Sequence, residues 1–162
     1  MMTRMRNRRM RVGLLGVIGI VVSLCANAQT ESRAQKTIVK DANAKRMLVG
    51  AHKFSLQWIS WDYFGKAIVT ESKGVLKIKG EQKGRSNSDS VRIDGVITLI
   101  DTKEFIFTGT IITQVSHING GQPCTREGEM TFRITGTRKY WRMQQMDNPC
   151  DPVTDYVDIF FK

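Results

Sequence analysis

The sequence predicts an all-β protein: one antiparallel, up-and-down meander of about eight strands closing into a small barrel behind a removable N-terminal segment. Three observations predict it. From Leu48 to Lys162 apolar and polar residues alternate with a period of two, the pattern of half-buried strands with one wet face. The strands are joined by short runs rich in Asp, Asn, Ser and Gly, which favour turns. Glycine recurs inside the strands at matching places, as a tightly coiled sheet requires. A two-sheet sandwich is the alternative for the same pattern.

The chain of 162 residues opens with Arg4, Arg6, Arg8, Arg9 and Arg11 and no acid. An apolar run from Val12 to Leu24 follows, then Ala26-Asn27-Ala28. Basic, apolar and small-x-small segments in that order form a secretory signal peptide, residues 1–28, cleaved near Ala28. The apolar run is short for a helix crossing a hydrocarbon core of about 30 Å, so no stable membrane span is expected after cleavage. Cys25 follows Leu24, where a lipoprotein signal wants a small residue. The expected location is therefore the bacterial periplasm or the medium.

Removing the signal removes half of the formal charge of +10. The remaining basic residues alternate with acids and form no tract, which argues against a nucleic-acid partner. Residues 29–47 read as a polar leader, disordered or a short helix, with a thin apolar stripe at Ala34, Ile38, Val39 and Ala42. The barrel domain spans 48–162.

Within it, Phe54, Leu56 and Trp58 share one face, as do Leu76 and Ile78, then Val91, Ile93, Ile97 and Leu99. Phe105, Phe107, Ile111 and Val115 follow, then Met130, Phe132 and Ile134, and Val157, Ile159 and Phe161 close the series. Asn119-Gly120-Gly121 is a hairpin signal, because Asn-Gly accepts positive φ. Gly80, Gly95, Gly109 and Gly136 each follow an apolar and a polar residue and share the inward parity, marking corners of a coiled sheet.

Two cysteines remain after cleavage. Cys124 and Cys150, alone in an oxidising compartment, are expected to form a disulfide, with a loop-closure contribution of about 3.5 kcal/mol. No further Cys or His stands at metal-site spacing, and neither metal nor cofactor is expected. Asp147, Asp151, Asp155 and Asp158 cluster near the C-terminus. Their spacing matches no calcium loop, and turn formation is the simpler role.

No catalytic residues are assigned. His52 and His117 are the histidines, no nucleophile stands beside either in a known pattern, and phosphate-binding glycine loops are absent. The protein is expected not to be an enzyme. The leading expectation is a barrel that binds a small hydrophobic ligand in its interior, and the alternative is an interaction module. Phe54, Trp58, Phe107, Trp141 and Met143 form a candidate lining for a small hydrophobic ligand. Trp61, Tyr63 and Phe64, at the first hairpin tip, form a candidate contact for an envelope protein, as in an interaction or inhibitor module.

Leu48-Val49-Gly50-Ala51-His52-Lys53-Phe54, entering an eight-strand meander, resembles the opening of lipocalin-like (calycin) barrels, which begin with Gly-x-Trp. Gly50 matches the glycine, and His52 stands at the tryptophan position. The stretch from Tyr140 to Cys150 is also similar to uncharacterised exported bacterial proteins. The calycin resemblance implies a cup for a small apolar ligand.

Overall fold

The computed structural model describes residues 35–162. The expected signal peptide, residues 1–28, and the first part of the leader lie outside these residues.

Ten elements follow in order: β1 (Ile38–Val39), α1 (Ala42–Leu48), β2 (Gly50–Leu56), β3 (Gly65–Ser72), β4 (Val75–Lys83), β5 (Ser90–Ile100), β6 (Glu104–Gln114), β7 (Cys124–Arg133), β8 (Tyr140–Met143) and β9 (Val157–Phe160), with a single 3-10 turn at Asn119–Gly121 before β7. Strands β2 to β9 pair antiparallel with their chain neighbours. The ring closes where β2 pairs with β9, placing Phe54 opposite Ile159. The fold is thus a closed eight-stranded barrel in meander order, and the sandwich alternative is set aside. Closure removes the free edges that an open sheet would expose.

The inward parity read from the sequence holds for most strands. Phe54, Leu56, Ile78, Ile93, Phe107, Ile111, Phe132 and Ile159 join one buried cluster. Leu99 departs from it. A bulge between Ile97 and Leu99 shifts the register, so Ile100 turns inward and is buried while Leu99 is half-exposed. An extra residue reverses the face of everything after it.

The glycine corners have a visible cause at Gly95 and Gly109, which lie opposite each other on β5 and β6. A Cβ on Gly109 would meet the Asp94 carbonyl oxygen at 2.3 Å, Gly95 Cα at 2.6 Å and Phe107 Cζ at 2.7 Å. The strands approach here more closely than any side chain allows, and the Phe107 ring covers the gap from inside. Gly136 lies beyond β7 in a loop, at φ 61°. The Asn119-Gly120-Gly121 signal also resolves differently. All three residues take positive φ, but within the 3-10 turn of a longer connection, where the disulfide-bonded lid described below is anchored.

The described part of the leader, residues 35–47, is built into the fold. Asp41 caps α1, accepting hydrogen bonds from the backbone N–H groups of Asn43 (2.7 Å) and Ala44 (2.9 Å), a typical N-cap arrangement. The face α1 buries is Ala44 and Leu48, not the stripe read from the sequence. Ile38 and Val39 instead form β1 and pair in parallel with Leu99 and Ile100 of β5.

Helix α1 closes the base of the barrel. The His52 ring nitrogens Nδ1 and Nε2 lie 2.8 Å from the Phe160 carbonyl oxygen and 2.7 Å from that of Leu48. One buried imidazole thus ties the end of α1 to the closing strand. Trp141 stands edge-on to His52 and packs on Phe105 and Phe161. Where lipocalin-like barrels use a tryptophan on the first strand, this base is filled by Trp141 from β8.

Candidate binding end of the barrel

The opposite end carries the loops 57–64, 84–89, 115–123 and 144–156. Three devices hold them. The first is the Cys124–Cys150 disulfide, which pins the last loop to the start of β7. The second is an internal bridge in that loop, Asp147 to Thr154. The third is a buried polar cluster around Asp155.

Asp155 Oδ1 accepts a hydrogen bond from Trp58 Nε1 at 2.9 Å. Its Oδ2 accepts from Arg126 Nη2 at 2.8 Å and Asn148 Nδ2 at 2.9 Å. Arg126 Nη2 also donates to the Asp147 carbonyl. Residues from two separate strand connections and β7 therefore converge on one carboxylate, which is 1% exposed. Burying a charge pair is offset best when its remaining polar atoms are also bonded; Asp155 meets that condition with three donors, whereas Arg126 Nη1 is buried without a partner. Trp58, read from the sequence as an inward strand residue, lies beyond β2 and serves in this cluster, edge-on to the exposed His117.

The four C-terminal aspartates are drawn apart. Asp151 accepts from the Asn119 N–H at 2.7 Å, Asp147 is exposed, and Asp155 is consumed as described. Asp158 faces outward on β9 and forms a two-pronged pair with Arg142 at 2.8 and 2.7 Å. Burial pushes the Asp158 carboxyl above its ordinary range, with the Arg142 bonds pulling it down. Among the described residues no three His, Cys, Asp or Glu side chains come together in a group able to hold a metal ion.

The candidate ligand lining is placed as follows. Phe54, Phe107 and Met143 have no exposed surface and Trp141 has 2%. They belong to the one packed cluster. A ligand among them would have to displace existing contacts, since eight strands enclose a space that side chains can fill.

The candidate tip divides into three. Trp61 projects from its loop, 58% exposed. Tyr63 turns against the neighbouring loop, where its hydroxyl accepts from the Arg85 N–H and its ring lies 4.2 Å beneath the guanidinium. Phe64 folds onto the outer wall beside Phe160 and Lys53. The loop is braced at its root: Ser60 Oγ accepts from the N–H groups of Asp62 and Tyr63. Gln82 donates to the Tyr63 carbonyl and accepts from the Leu56 N–H. The exposed indole thus sits on a held loop.

Fold and lid define a class: a closed eight-stranded meander barrel, plugged at one end by a helix and covered at the other by disulfide-anchored loops. The chain belongs to the PM1083 family, whose model matches residues 36–161. It is 48% identical over 147 residues to the uncharacterized protein PM1083 of Pasteurella multocida (strain Pm70), covering 91% of this chain and 93% of that protein. No solved structure matches.

Proposed function

We propose that the protein is an exported, non-enzymatic binding module that engages a protein of the bacterial envelope through the loop end of its barrel, with Trp61 as anchor. One observation carries the reading: a large aromatic side chain stands 58% exposed on a loop braced by Ser60, Gln82 and the Tyr63–Arg85 contact. A rigidly presented tryptophan offers much contact area at little cost in conformational entropy, which is why tryptophan is enriched among binding hot spots.

Export is supported by the residues 1–28 pattern and by the disulfide, which persists in oxidising compartments. Among the described residues no helix is long and apolar enough to cross a membrane. The small-ligand reading receives less support, because the aromatic side chains that would line a cup are packed on one another.

The test is photo-crosslinking in the producing cell from a reactive group at position 61, with position 117 on another loop as control. A discrete protein adduct from 61 alone is expected, and Trp61→Ala should abolish the interaction with the identified partner. Absence of any adduct, together with a small apolar molecule retained in native mass spectrometry, would replace this reading with the ligand cup.

A further inference from the structure

The outer wall of β4–β7 has a charge pattern that complements itself. Two rows of outward residues run across the four strands in register. One is Lys77, Val96, Thr108 and Glu129; the next is Lys79, Asp94, Thr110 and Glu127. Each begins with a lysine on β4 and ends with a glutamate on β7. Lys77, Glu127 and Glu129 are exposed and form no ion pair among the described residues. Lys79 reaches Asp94 at 3.4 Å, and both side chains remain largely exposed. Between the charged ends lie half-buried apolar and threonine side chains: Val96 and Thr108, with Leu99 and Ile106 in the next row. The wall is dented where the glycine corners draw the strands together. A groove of about 450 Å³ there is lined by Lys79, Glu81, Arg92, Asp94, Thr110 and Ile112, with the backbone of Gly80 and Ile93.

We infer that this wall is the contact face of a two-fold homodimer. A two-fold axis lying between two such walls, parallel to β5 and β6, reverses each row against its own copy. Lys77 then faces the second copy's Glu129, Lys79 faces its Glu127, and Val96 faces its Thr108. The contact is isologous, so each pairing occurs twice and the assembly closes at two subunits. The central strands bring Val96 against Thr108 and Asp94 against Thr110, inside a rim of opposite charges.

Charge complementarity selects a second copy over other occupants, because Lys77 and Lys79 on β4 and Glu127 and Glu129 on β7 stand at equal distances on either side of one line, while Glu81 and Arg92 in the adjoining row pair with each other. A purely acidic or purely basic partner would satisfy one half and be repelled by the other. Four strands about 4.8 Å apart and four outward rows about 7 Å apart give a footprint of at most roughly 300 Å² per copy on this convex wall. That is below the ~800 Å² per partner of stable complexes, so the dimer is transient and dissociates on dilution. The face is separate from the Trp61 loop, and the inference does not rest on the function proposed above.

Sedimentation velocity tests it, using protein expressed from the full-length sequence, from about 5 to about 500 µM, a range suited to weak contacts. The sedimentation coefficient should rise with concentration to a dimer limit. Lys77→Glu with Lys79→Glu should weaken association at least about ten-fold, equivalent to about 1.4 kcal/mol. Glu127→Lys with Glu129→Lys should do the same. Mixing the two variants should restore association as a heterodimer, and all four substitutions in one chain should restore a homodimer. Circular dichroism confirms that each exposed-site variant folds. A monomer at every concentration, a dimer indifferent to either charge reversal, or growth beyond two subunits would overturn the inference.

Discussion

Replacing Gly109 by alanine should be among the most damaging single-methyl additions in this barrel. The new Cβ would stand 2.3 Å from the Asp94 carbonyl oxygen and 2.6 Å from Gly95 Cα, both on the paired strand. Backbone atoms cannot turn aside as a side chain can, so β5 and β6 must separate where the barrel bends. Overpacking a tight interior costs about 1–3 kcal/mol, and an obstacle made of backbone places this case near 3. For a domain of this size that lowers the midpoint by about 10 °C. Gly120→Ala is the matched control. Its Cβ would meet nothing within 4 Å, but the residue sits at φ +60°, so only the left-handed penalty of about 1–2 kcal/mol applies. Thermal and urea unfolding, followed by tryptophan fluorescence, measure both. A Phe107→Leu background separates the causes. If backbone is the obstacle, trimming the ring leaves the cost of Gly109→Ala unchanged within about 0.5 kcal/mol. A Gly109→Ala cost no larger than that of Gly120→Ala, or rescue by Phe107→Leu, would refute the reasoning.

Three further outcomes are expected. Asp155→Asn leaves the Arg126 guanidinium buried without its counter-charge and should cost about 3–5 kcal/mol in denaturant unfolding, whereas Asp151→Asn, on a half-exposed turn, should cost far less. Replacing both Cys124 and Cys150 by serine should cost about 3.5 kcal/mol, with amide exchange rising first in residues 144–156. The Asp41 carboxyl is held below its ordinary range chiefly by the Ala44 N–H it accepts from; its contribution is therefore fully present above the ordinary carboxylate value and lost as pH falls through the lowered one. Acidification through that window should speed amide exchange in α1, and Asp41→Asn should abolish this pH dependence while keeping a capped helix at neutral pH.

Much of the loop-end site was only half legible. Trp61 could be placed at a tip because Asp62 and Gly65 mark the turn around it, and its exposure follows from that position. The separation of Tyr63 and Phe64 from it could not be foreseen, since each is drawn away by a partner distant in the chain, Arg85 for one and Phe160 for the other. The Asp155 cluster left no trace in the spacing. Asp155 sits among turn-forming residues, and its donors Trp58 and Arg126 lie 97 and 29 positions away.

By itself the sequence determined the eight barrel strands, the faces most of them bury, most of the turns and the cysteine pair, because a period of two reports directly which side of a strand is dry. Tertiary structure alone decided the rest. Closure depends on β2 meeting β9 across about a hundred residues, and the period names a face without naming the neighbour. The bulge that turns Ile100 inward, the base filled by Trp141 and His52, and the rows running from Lys77 to Glu129 all depend on register between strands. Register is settled only when every strand has packed against the next.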